Sequence, residues 1–152
     1  IWDGNPFATC AGMLRRDALA KISADWFDKF FLNDWAAYAV AANEGELLFV
    51  DAPVGAYRLH DRGTYSTEDE TIKLKRIAEF YRYTSQALED RGAKPLAAAG
   101  AARLFGDWAM DFAQQGKRAA TLRCLYHAAR LGDVGGTLGW RKWAAILAKA
   151  VK

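Results

Sequence analysis

Gly45-Glu46-Leu47-Leu48-Phe49-Val50-Asp51-Ala52-Pro53-Val54-Gly55-Ala56-Tyr57-Arg58-Leu59-His60 is the stretch on which the fold class turns. Residues 47–50 are a short apolar run leaving a glycine, and residues 54–59 form a second run after Pro53. Each has the length and composition of a short strand. Working back, residues 8–14 form another apolar run that ends at Arg15-Arg16 and suits a buried strand. Asp17 then opens a short turn through Leu19 and Ile22. Asn33 or Asp34 caps a helix through Trp35, Tyr38 and Ala42 to Glu44, which Gly45 stops. The first half therefore mixes strands with one helix.

Working forward, the polar cluster Ser66-Thr67-Glu68-Asp69-Glu70 marks a change to helical periodicity, with its carboxylates placed as a capping run. Leu74, Ile77, Tyr81, Thr84 and Leu88 share one helical face, and Lys75, Arg76, Glu79, Arg82 and Glu89 share the other. This amphipathic helix ends near Gly92. Leu104, Trp108 and Phe112 repeat at i, i+4 and i+8 in a helix that stops near Gly116, and Leu122, Leu125 and Ala129 mark another closed by Gly132. The pair, near residues 97–131, resembles a tetratricopeptide-like hairpin, although one copy is not an array. Gly135, Gly136 and Gly139 separate a last helix, in which Trp140, Trp143, Leu147 and Val151 fall within about 80° of one another. The expected fold is α+β and helix-dominated: residues 1–69 with a few short strands, then residues 70–152 with about four helices.

A chain of 152 residues with 52% hydrophobic and 26% charged residues can bury a core, which removes disordered and fibrous classes. Its 2 cysteines, Cys10 and Cys124, do not make a disulfide scaffold. No apolar run has the roughly 18–20 residues of a membrane-spanning helix. The net charge of +3 conceals a division: residues 1–70 hold 6 Lys and Arg against 12 Asp and Glu, and residues 71–152 hold 15 against 6. The basic residues spread around helices instead of gathering on a reading element, so nucleic acid is not an expected partner. Phosphate-binding glycine loops, His-Glu-x-x-His and paired Cys-x-x-Cys are absent.

One ordered series remains: Thr9-Cys10-Ala11-Gly12-Met13-Leu14-Arg15-Arg16-Asp17, then Asn33-Asp34-Trp35, then Gly45 with Leu48-Phe49-Val50-Asp51, then Tyr57-Arg58-Leu59-His60 and a loop from Gly63 to Ser66. It resembles the carboxyl-terminal part of the catalytic domain in family-two glycosyltransferases of the GT-A fold. The resemblance covers about residues 5–85. It implies an inverting transfer of sugar from a nucleotide diphosphate sugar, such as a UDP-sugar, to a hydroxyl of a carbohydrate or lipid-linked acceptor. Asp34 matches the family's base, which takes the acceptor proton as the bond forms. Trp35, Arg58, Arg62 and Tyr65 are the implied substrate-binding residues, the arginines pairing with phosphate oxygens. His60 matches a position near the divalent metal, Mn²⁺ or Mg²⁺, where neutral imidazole joins oxygen ligands. The chain has no Asp-x-Asp motif. The resemblance thus places the metal in a longer parent and leaves this chain inactive alone.

The alternative is a helical interaction module that docks a protein partner or an anionic membrane through Trp140 and Trp143, with Arg141, Lys142, Lys149 and Lys152 beside them. In the competing arrangement those tryptophans pack on neighbouring helices. Either reading places the chain in the cytoplasm, at the inner face of a membrane if the last helix docks there. An incomplete sheet would also expose a strand edge and favour a homo-oligomer.

Overall fold

The computed structural model describes residues 1–22, 28, 31–58, 60, 63, 67–89, 92–132 and 134–151, without the side chains of residues 134, 138, 150 and 151. The chain forms two compact units, one of Ile1 and Asn5–Glu68, the other of Trp2–Gly4 and Asp69–Lys152.

The first unit is built on helices. Thr9–Ala11 is a 3₁₀ turn, α1 spans Arg16–Leu19 and α2 spans Asn33–Glu44. Six consecutive residues of α2, Trp35 to Val40, are buried, so this helix is the core of its unit and α1 packs on it. Gly12 lies against Tyr38 so closely that a Cβ there would sit 2.1 Å from the phenol oxygen. Phe7 meets the same ring edge-on, with centroids 5.3 Å apart. Helix α2 stops at Gly45, whose backbone is fully extended, and the chain continues to Arg58 exposed to solvent.

The expected α+β class is corrected here. Among the described residues there is no strand: residues 8–14 contain the 3₁₀ turn, and residues 47–50 and 54–58 pair with nothing. The reason is that a strand is completed by a partner ladder, and β-rich composition alone supplies no partner. Leu59, the last residue of the expected second strand, lies outside the described residues.

In the second unit, α3 spans Glu70–Ala87, α4 Ala93–Gln114, α5 Arg118–Leu131 and α6 Trp140–Val151, with one π turn at Val134–Leu138. Asp69 caps α3 by accepting the Thr71 backbone N–H at 2.8 Å. Helix α3 buries Leu74, Ile77, Phe80, Tyr81 and Thr84. Helix α4 ends in a glycine turn, with Gly116 left-handed and the Lys117 N–H donating to the Phe112 carbonyl at 2.9 Å. That three-residue turn sends α5 back antiparallel along α4.

The α4–α5 seam is made of small side chains. Ala101, Ala102 and Ala109 of α4 and Ala120, Cys124 and Ala128 of α5 are buried, and a Cβ on Gly132 would lie 2.7 Å from that of Ala102. Close backbone approach lets Phe105 stack against Tyr81 at 6.2 Å and His127 at 5.2 Å. Burial pushes the Cys124 thiol up to about 12 and lowers the His127 pKa.

Trp2 closes the open side of this core. Its ring lies 6.0 Å from Phe80 and 6.4 Å from Tyr81, and its carbonyl accepts the Tyr81 hydroxyl at 2.6 Å. The seat requires Gly100, because a Cβ there would fall 2.0 Å from the Trp2 carbonyl oxygen. Gly100→Ala is therefore expected to displace Trp2 and destabilise the unit by about 1–3 kcal/mol, despite alanine's better helix propensity. Urea unfolding checks this; unchanged or raised stability contradicts the seat.

Candidate functional site

Two groups of residues hold the chemistry expected from sequence, one in each unit. The first surrounds Asp34 in the opening turn of α2. One carboxylate oxygen of Asp34 accepts the Thr9 hydroxyl at 2.6 Å and the Asn5 amide at 3.4 Å, and the other accepts the Trp35 N–H at 2.8 Å. Asp34 thus ties residues 5–9 to the amino-terminal end of a helix, where its negative charge also meets the positive end of the helix dipole. Tyr38 lies one turn on. Burial, then Asp34, then Cys10 raise its hydroxyl above the ordinary pKa.

Of the remaining residues expected at this site, Trp35 follows Asp34 in the first turn of α2. Trp35 is 4% exposed and donates its indole N–H to the Ile1 carbonyl at 3.0 Å, as a core anchor of α2. Arg58 and His60 lie in the exposed, non-helical segment beyond Gly45. Arg62 and Tyr65 lie outside the described residues. No group of three or more His, Cys, Asp or Glu side chains converges as a metal site among the described residues. Thr9 opens the series read from sequence and Asn5 stands at the edge of the resemblance, but nothing there marks either as a partner of Asp34.

The second group is α6. Around its axis the apolar positions form one band that holds two adjoining strips. Trp143 and Ile146 turn toward the unit's interior, Ile146 with no exposed surface, and α6 packs on α4 and α5. Lys142 reaches Asp107 at 2.8 Å, and the Lys149 amine lies 3.8 Å from the Met110 sulfur. Trp140, Ala144 and Leu147 form the other strip, with Trp140 73% exposed. Arg141 beside them is exposed and makes no ion pair among the described residues. The expected single face of Trp140, Trp143 and Leu147 is therefore split, with Trp143 taken by the bundle; Val151 is in register with the outer strip, but its side chain is not described. Ile146, absent from that expected face, is the packing anchor.

No family model, no curated protein and no solved structure matches this chain. The resemblance to family-two glycosyltransferases is corrected accordingly. A GT-A domain is organised on a sheet, and the described residues contain none. The base role of Asp34 loses the resemblance on which it stood, and what the structure gives Asp34 is a set of local hydrogen bonds. Replacing Asp34 by alanine is expected to cost about 1–2 kcal/mol and to speed amide exchange at the start of α2. Wild-type exchange there would show that these bonds hold nothing in place.

Proposed function

We propose that this chain is a helical interaction module that seats on an anionic membrane surface through α6. The observation that carries the reading is the outward strip of Trp140, Ala144 and Leu147 on a helix already anchored to its bundle by Trp143 and Ile146. Because the inner strip holds the fold, the outer strip is available for a second task. Tryptophan with an apolar neighbour and flanking cations is the composition that binds at a headgroup boundary.

Charge supports the anionic surface over a neutral one. Residues 71–152 carry 15 Lys and Arg against 6 Asp and Glu, and Arg141 lies next to the strip. Each cation close to an anionic bilayer contributes about 1 kcal/mol, and covering one large apolar side chain contributes about 1.5–3 kcal/mol. With only two large side chains on the strip, binding is weak, reversible and salt-sensitive. No helix among the described residues is long and apolar enough to cross a membrane.

Co-sedimentation with vesicles tests the reading. The chain should pellet with vesicles of phosphatidylcholine and phosphatidylglycerol and stay in solution with phosphatidylcholine alone. Trp140→Ala with Leu147→Ala should weaken binding by about tenfold or more, and Trp140→Ala alone, at a side chain 73% exposed, should weaken it with helicity unchanged. No binding to the anionic vesicles, equal binding to both kinds, or full binding by the double variant contradicts the proposal.

A further inference from the structure

The expected strands of the first unit leave a segment with unusual properties. Residues 45–58 are all exposed, including Leu48 at 88% and Phe49 at 80%, in a unit whose core is a helix. The one backbone hydrogen bond within the segment is from the Ala52 N–H to the Val50 carbonyl at 2.9 Å. A row of unpaired donors and acceptors carrying β-branched and aromatic side chains is a template for another strand.

We infer that residues 46–58 pair with the same segment of a second copy of this chain, antiparallel about a two-fold axis at Ala52. In this register Glu46 faces Arg58 of the second copy, Leu48 faces Ala56, Val50 faces Val54 and Ala52 faces itself. The two-fold axis repeats each pair, so both ends of the ribbon carry a Glu46–Arg58 ion pair. Neither residue makes an ion pair among the described residues of the single chain.

Two features select this register. Pairing centred between Leu48 and Phe49 would instead set Glu46 against Asp51 at both ends, like charges directly opposite. Pro53 has no N–H, so it must point its nitrogen away from the partner strand. In the Ala52-centred register the N–H groups of the even-numbered residues face the partner, and those of the odd-numbered residues, Pro53 among them, face outward. Pairing exchanges the Ala52–Val50 bond for ladder bonds. A Cβ on Gly55 would lie 2.5 Å from the Cys10 carbonyl oxygen, so the odd-numbered face rests on the chain's own body there. Away from Gly55 both sides of the segment are open to solvent, Phe49 at 80% and Tyr57 at 64% as well as Leu48 at 88%, and pairing straightens the bend at Ala52. The ribbon involves 13 residues per copy, below the roughly 20–30 of a standard interface, so the dimer is a reversible one.

Sedimentation velocity over a concentration series tests this together with cysteine trapping. The full chain should form a dimer as concentration rises. Glu46→Arg and Arg58→Glu should each weaken it by about tenfold or more, and the two together should restore it. In a Cys10→Ser background, Ala52→Cys should cross-link to itself much faster than Val50→Cys, whose partner is Val54. A monomer at every concentration, an association indifferent to the reversals, or equal cross-linking at the two positions overturns the inference.

Discussion

Everything in the helical second unit follows from how closely α4 and α5 approach. Alanine, glycine and one buried cysteine line the seam, and Gly132 sits where even a methyl group would run into Ala102. With so little side chain between them, the two backbones can lie near the short end of helix–helix separations, and dispersion contacts accumulate along the whole length. That approach decides what else can fit. Phe105 is left to fill the space between α3 and α5, and Tyr81 and His127 close on it from either side. Trp2 completes the packing only because Gly100 lets its carbonyl lie on the helix backbone.

The same economy of space explains the position of α6. A helix laid on an already dense pair can bury only part of its circumference, here the strip with Trp143 and Ile146. The adjoining strip is more open to water, with Trp140 73% and Leu147 37% exposed. The exposed ion pair of Lys142 with Asp107 fixes orientation more than it stabilises, since such pairs contribute little in water. In the first unit the organising element is α2, held at its start by Asp34 and buried through Trp35 to Val40. That unit spends its apolar residues unevenly, filling the helix and leaving residues 47–57 in solvent.

Local signals read well from sequence and relational ones did not. Gly45, Gly116 and Gly132 follow helix ends as read from sequence, Gly116 alone of the three in the left-handed conformation, and the Leu74, Ile77, Tyr81, Thr84, Leu88 face that α3 presents is buried throughout. Helix α4 misled: Leu104, Trp108 and Phe112 are the bulky repeat but are half-buried, while Ala93, Ala97, Ala101, Phe105 and Ala109 make the core face. Hydropathy ranks alanine low, yet a seam of close backbones needs it. Residues 47–50 and 54–58 have strand composition and no ladder, because pairing depends on chain that composition does not name. The Asp34 contacts were hidden for a similar reason, since Asn5 and Thr9 come near it only through the fold.

The claim that close backbone approach governs the helical unit is tested most directly by comparing urea unfolding of Ala128→Leu and Ala129→Leu. These positions are adjacent on α5, the first fully buried in the seam and the second exposed. Helix propensity changes equally in both. A seam with no room predicts that Ala128→Leu loses about 1–3 kcal/mol while Ala129→Leu stays near wild type. Equal stability of the two variants would contradict it.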